Sequence, residues 1–402
     1  MIFSSWRARR SRKLTHEPNG RRRSSIVLLS TADLDAAVLT NKQHIAMRLS
    51  ERMDVVYIDS LGLRYPRLNR SDLARIGRRL SPGSQSKRVA PRVLAEERAG
   101  RLRRVRPLVL PWHRCGWVRA FNRFAFDWQV RRLVAELSPD TIWSFSPLTY
   151  GVERHFKQVV YHSVDLLHHL EDMPSALLLR SERELVAHCS LAIGSSPGIV
   201  KHLEEQGATE PLFWPNVADV SLFSKDVLTS QRRRKVIFAG HLTVAKVDLN
   251  ALRACMDEGL PLTLVGPIAI DGSLRGPIDE LLAHPLASYC GVLSQEALAV
   301  LFRDHQVGLI PYTSNRYLDG VLPMKLYEYL AAGLAVVSTP LPSVQQSECA
   351  DIVIADGPGY AAAVAAASDK TSPGVIRRRI ALAAANSWEH RIEQVLGVVD
   401  ER

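Results

Sequence analysis

Pro323-Met324-Lys325-Leu326-Tyr327-Glu328-Tyr329-Leu330-Ala331-Ala332-Gly333-Leu334-Ala335-Val336-Val337-Ser338-Thr339 reads as a helix, its stop and a buried strand in one short run. Pro323 suits the first turn of a helix, where a missing N–H leaves nothing unsatisfied. Gly333 is the residue type that closes a helix in the left-handed conformation. The apolar run Ala335–Ser338 then has the length and composition of a buried strand. Lys325 and Glu328 fall one turn apart on the same helix face. Spacing alone leaves two readings for them, a surface ion pair or an ammonium and a carboxylate serving one ligand.

The same alternation extends in both directions. Ile26–Leu29, Asp54–Asp59, Leu108–Leu110, Thr141–Phe145, Val159–Val164 and Leu191–Gly194 read as strands. Val118–Leu137 and Ser175–His188 are helix-length segments between them. A second series follows Trp214-Pro215-Asn216 and the basic stretch 231–235, with strands at Val236–Gly240, Leu262–Gly266, Val307–Pro311 and Ala335–Ser338. Strands separated by helices form parallel, doubly wound sheets. A chain of 402 residues suits two domains. The expected division is a disordered basic arm at 1–23, a Rossmann-like domain at 24–218 and a second one at 219–375. Helices at 376–402 would cross back to the first domain. Two such α/β domains face a cleft, and ligands bind beyond the carboxyl ends of the strands. A periplasmic-type binding protein or a sugar epimerase would have the same outline.

The net charge of +11 and pI of 9.6 favour an anionic partner. Much of the charge sits in the arm and the first domain, and no nucleic-acid motif accompanies it, so nucleic acid is excluded as the expected partner. Arginines between Arg101 and Arg132 alternate with Trp112, Trp117, Phe121, Phe124 and Trp128, a mixture suited to an anionic membrane interface. Cys115, Cys189, Cys255, Cys290 and Cys349 are scattered without Cys-x-x-Cys spacing, which fits a reducing compartment and neither a disulfide framework nor a zinc site. No apolar run reaches the roughly 18 residues of a membrane span. The basic N-terminus has no apolar region behind its charges and does not read as a secretory signal. The expectation is a cytoplasmic protein, peripheral on the inner face of the membrane.

With these residues in place, Pro323–Thr339 resembles the donor-site signature of family 4-like GT-B glycosyltransferases. Weaker likenesses follow in the family's order: Val236–Leu242 with Lys246-Val247-Asp248, Leu264–Pro267, Gly291–Ser294, Val307–Tyr312 and Asn386–Glu389. In the first half, Asn41–Ala46 resembles the "RPQHLA" opening of a subset that includes teichuronic-acid-type and exopolysaccharide transferases. Tyr161–Asp165 resembles that subset's "YDCVDD". Met324-Lys325 is also similar to the donor helix of bacterial glucuronosyltransferases.

The resemblance implies transfer of a sugar from a nucleotide diphosphate, UDP- or GDP-linked, to a cell-envelope or exopolysaccharide glycan or a lipid-linked acceptor. It implies no cofactor and no bound metal; His162, His168 and His169 lack the spacing of a closed ligand set. It implies retention of configuration in preference to inversion. The implied donor-binding residues are Gly240, Lys246, Leu293, Asp319, Met324, Lys325 and Glu328, with Glu328 on the ribose hydroxyls and Lys325 beside the diphosphate. Asp165, at the carboxyl end of a strand, and His44 are the catalytic candidates, against the plainer readings of a turn aspartate and a structural histidine. The sequence departs from the family at one place. The family has a second glutamate eight positions before Glu328, and here that position is Gly320. Its sugar contact then falls to Asp319 or to a backbone N–H. A GT-B-like epimerase and a non-catalytic GT-B scaffold are the rival readings.

Overall fold

The computed structural model describes residues 25–36, 39–65, 101–170, 172–229, 232–269, 274–346 and 351–400. The arm at 1–23 lies outside the described residues. The chain divides into two compact units, residues 1–145 with 149–159 and residues 146–148 with 160–402. Among the described residues the strands fall into a seven-stranded and a six-stranded sheet, and each pairing described below is parallel.

In the first unit, β1 (Ser25–Leu29) pairs with β2 (Asp54–Ile58) and with β4 (Thr141–Ser144), and β2 pairs with β3 (Leu102–Val105). Ile26 stands opposite Val55 on one side and Thr141 on the other. All five residues of β1 are buried, as expected of a central strand with both faces covered. The helices Asn41–Ser50 and Gly116–Leu137 belong to this unit. The strand expected at Leu108–Leu110 lies instead at Leu102–Val105, and the reason is charge compensation. Arg104 reaches Asp59 at 2.7 Å and Asp35 at 2.6 Å, so an arginine-rich segment enters the sheet with its inward guanidinium neutralised. Pro107 then interrupts the backbone donors. Leu108 is exposed, and both the N–H and the carbonyl of Leu110 bond the side chain of Asn122.

In the second unit, β5 (Gln158–Ser163, from Val160 on), β6 (Leu191–Gly194) and β7 (Leu212–Phe213) run side by side. The six-stranded sheet follows, with β8 (Val236–Ala239), β9 (Leu262–Val265), β10 (Ala287–Tyr289), β11 (Val307–Ile310), β12 (Ala335–Ser338) and β13 (Ile352–Ile354) in the order β10-β9-β8-β11-β12-β13. Alternate residues of its central strands enter two cores. Val236, Phe238, Leu262, Leu264, Leu309 and Val337 pack with the helices Leu249–Asp257 and Gly359–Ser368. Ile237, Ala239, Val265, Ile310 and Val336 pack on the opposite face with the helices Gln295–Phe302 and Lys325–Ala331. This alternation follows from the two-residue period of a strand. The edge strands β10 and β13 are short and partly exposed, and β10 lacks the apolar run that makes the central strands legible.

Candidate functional site

The residues implied for donor binding come from loops at the carboxyl ends of β8 to β11 and from the helix Lys325–Ala331 that leads into β12. All of them belong to the second unit. The loops are drawn together by backbone contacts. Gly240 N–H bonds Val265 at 2.9 Å, and Gly266 N–H bonds Gly291 at 2.8 Å. Gly266 has φ +128°, and a Cβ there would sit 1.9 Å from the carbonyl oxygen of Gly240. Close backbone approach makes glycine obligatory at Gly266. Gly240 itself has an ordinary backbone, and its missing side chain relieves a contact with the Phe238 ring.

The helix Lys325–Ala331 is pinned to the sheet by Tyr329, whose hydroxyl accepts the N–H of Ala239 at 2.9 Å. The Tyr329 ring fills the space left by Gly308, where a Cβ would come within 2.3 Å of it. Pro323 lies ahead of this helix instead of in its first turn; Met324 is the N-cap, and the N–H of Leu326 bonds the Pro323 carbonyl. The seven-residue helix contributes only a small dipole, so positive charge at this end rests on lysine side chains. Lys325 donates to Glu328 in a short ion pair. Glu328 is only 2% exposed and Lys325 is half-buried, so the pair is not the solvated surface pair that spacing also allowed. Leu293 is half-buried against the core beneath this helix, and Met324 is half-buried.

A second group forms around Tyr317. Its hydroxyl donates to Asp165 at 2.9 Å, and the Lys246 ammonium lies 4.8 Å from its ring centroid. Burial first, and then the Asp165 carboxylate, holds the Tyr317 phenol well above its usual pKa, so it stays a hydrogen-bond donor at neutral pH. The loop carrying Lys246 is tied to the Tyr317 loop: Thr313 N–H bonds the Lys246 carbonyl at 3.0 Å, and Asn315 bonds the Ala245 carbonyl at 3.2 Å. Asp165, Lys246 and Tyr317 therefore form one constellation, assembled from segments 152 residues apart at its extremes.

Leu318–Gly320 is a single 3₁₀ turn docked on the start of the helix Pro197–Glu205. Ser196 donates to the Gly320 carbonyl at 2.7 Å, and Asp319 backbone crowds Gly198 so closely that a Cβ there would meet it at 2.9 Å. A Cβ on Gly320 would meet the Leu166 side chain at 2.7 Å. Leu166 thus fills the space beside the Gly320 backbone. Asp319 is exposed on the same turn.

His44 lies in the first unit, buried on the helix Asn41–Ser50 with Nδ1 3.0 Å from Arg48. His162 is buried against the edge of Trp214. His168 and His169 form the 3₁₀ turn that follows Asp165. Burial, then the neighbouring His169 and His202, pushes His168 down to about 4. Sequence reasoning missed Tyr317, Leu166 and Ser196, because loop residues carry no periodic signal. Gly266 was readable only as part of a strand end.

No family model matches the chain. A segment of 84 residues is 34% identical to the "Putative teichuronic acid biosynthesis glycosyltransferase TuaH" of Bacillus subtilis strain 168. That match covers 21% of this chain, and the chain spans only 21% of the length of that relative. Among solved structures, a sucrose-phosphate synthase from Thermosynechococcus elongatus is similar with a TM-score of 0.65 at 16% identity, over 94% of this chain and 98% of that one. The Anabaena protein HepE in complex with UDP-glucose is similar with a TM-score of 0.64 at 14% identity, over 94% and 100%. With its two Rossmann-like parallel sheets, the chain has the GT-B α/β fold.

Proposed function

We propose that this protein is a metal-independent GT-B glycosyltransferase that moves a sugar from a nucleoside diphosphate onto a cell-envelope glycan or lipid-linked acceptor. The observation that carries the reading is the pair of a half-buried Lys325 and a buried Glu328, on the helix whose Tyr329 bonds the end of β8. Glu328 accepts hydrogen bonds from the ribose hydroxyls. Lys325 and Lys246 neutralise the diphosphate, supplying the charge that stabilises it as it departs. The backbone near Gly291 and the side chain of Leu293 hold the base. Met324 packs beside the donor. Asp319, or a backbone N–H, meets the transferred sugar in place of the family's glutamate, whose position here is Gly320.

The C1–O bond to the diphosphate breaks as the acceptor oxygen bonds to C1, and the acceptor proton passes to the departing phosphate oxygen. The acceptor approaches C1 from the face that the diphosphate leaves, so this course retains configuration. Asp165, already held by the Tyr317 hydroxyl, then orients the acceptor. The likeness to HepE with bound UDP-glucose supports UDP as the first nucleotide to try. Thermal unfolding with UDP and GDP tests the reading. Saturation at about a hundred times Kd stabilises by about 2.7 kcal/mol, which raises Tm by roughly 5 °C or more. No shift with either nucleotide would sink the donor site. A shift without acceptor-dependent release of nucleotide would favour the epimerase or the non-catalytic scaffold.

The acceptor is expected at a membrane surface, with the protein bound peripherally to the cytoplasmic face. The helix Gly116–Leu137 buries Val118, Phe126, Val130 and Leu133, yet Trp117, Phe121, Phe124 and Trp128 form an exposed stripe at i, i+4, i+7 and i+11. Arg132 stacks on Trp128 at 4.9 Å. Exposed aromatics beside arginines fit an anionic bilayer interface. No helix among the described residues is long and apolar enough to cross a membrane. Co-sedimentation with phosphatidylglycerol vesicles is expected for the wild type and at least about tenfold weaker for Trp117→Ala/Phe124→Ala. Equal binding by both proteins would remove this surface from the account.

A further inference from the structure

We infer that His168, Glu182 and His202 form a binding site for a divalent transition-metal ion such as Zn²⁺, separate from the donor residues. One ligand atom from each of the three lies within 4.8 Å of the other two. They come from three elements: the turn Leu167–His169, the helix Ser175–Val186 and the helix Pro197–Glu205. Two imidazoles and a carboxylate suit zinc and its neighbours among the later divalent metals, in preference to magnesium or calcium.

Glu182 is 5% exposed, a depth at which a carboxylate needs compensating charge. Its Oε2 lies 2.8 Å from His202 Nε2, and its Oε1 accepts the Tyr161 hydroxyl at 2.5 Å. Tyr161 therefore stands as the outer partner that aims a metal-binding carboxylate, as second-layer groups do in metal sites. The His168 and His202 rings lie nearly parallel, 26° apart with centroids at 4.7 Å. Ligands at about 2.0–2.1 Å in a tetrahedron stand about 3.3 Å from one another. The Glu182–His202 contact opens by about half an ångström to admit the ion, and the His202 proton moves to the other ring nitrogen. Three protein ligands leave the fourth position to water. A bound ion would clamp the turn directly after Asp165 and Leu166, the residues that meet Tyr317 and Gly320. Its role is to hold that turn, and the transfer step does not pass through it.

The test uses the full chain, stripped with chelator and dialysed, titrated with Zn²⁺ by calorimetry and with Co²⁺ by visible absorption. The expected result is one equivalent bound at micromolar affinity or tighter, with ligand-field bands of a low-coordinate cobalt centre. Binding is lost in His168→Gln and in His202→Gln, and retained in His390→Gln at an exposed position on another helix. Tyr161→Phe keeps all three ligands and is expected to weaken binding about tenfold, which covers the case that a ligand variant fails to fold. Absence of stoichiometric binding by the wild type overturns the site, as does an unchanged affinity in both histidine variants. UDP binding is measured on the same preparations without metal, so failure here and failure of the donor reading are seen separately.

Discussion

Glu328→Gln is expected to weaken nucleotide binding by between about tenfold and a hundredfold while the protein stays folded. The side chain keeps its shape and loses its charge, and a hydrogen bond to a charged group contributes about 1.5–3 kcal/mol. The prediction separates two roles that the Lys325–Glu328 pair can play. If the carboxylate serves only the fold, its neutralisation lowers Tm and leaves the affinity for UDP unchanged. If it holds the ribose, the affinity falls and the Tm of the free protein moves little, because Lys325 is half-buried and its ammonium resolvates. Lys325→Met makes the complementary change. It strands a carboxylate that is 2% exposed, so the free protein is destabilised by about 3 kcal/mol or somewhat less, given the partial exposure of the pair. Calorimetric titration of UDP alongside thermal unfolding reads both quantities, and loss of stability without loss of affinity in Glu328→Gln would end the donor assignment.

Gly266→Ala is expected to cost about 4 kcal/mol and lower Tm by roughly 10 °C. The added Cβ would meet the Gly240 carbonyl oxygen at 1.9 Å and its carbon at 2.8 Å, and backbone cannot rotate out of the way as a side chain does. The same shift breaks the Gly240–Val265 hydrogen bond and moves the turn proposed to face the donor phosphates. Gly259→Ala is the matched control. Gly259 also has positive φ, at +78°, but nothing lies within 4 Å of its Cβ position. Its cost is about 1–2 kcal/mol from backbone strain alone. Equal Tm losses in the two variants would show that the close approach at Gly266 contributes nothing.

The four central strands of the six-stranded sheet were legible because burial on both faces demands continuous apolar runs, as in Val236–Ala239 and Ala335–Ser338. The edge strand Ala287–Tyr289 was not, since one side of it meets solvent and a polar residue is tolerated there. Leu102–Val105 escaped for a different reason. Arg103 and Arg104 look unsuited to a sheet until Asp35 and Asp59 are known to lie beside Arg104. Leu108–Leu110 was the more apolar segment, but the proline before it and the bonds to Asn122 take it out of the ladder.

Local pattern determined the elements of this protein: the 2- and 3.6-residue periods, the Gly333 stop, and the one-turn spacing of Lys325 and Glu328 are all short-range properties of the chain. Tertiary structure decided which elements meet. Only the crossovers bring Asp165 to Tyr317, set Leu166 against Gly320, and gather His168, Glu182 and His202. Such contacts depend on where long connections return to the sheet, and no local propensity encodes that return. The buried state of Glu328 is likewise a property of the packed sheet and helix, and it is what turns a common helical spacing into a candidate site.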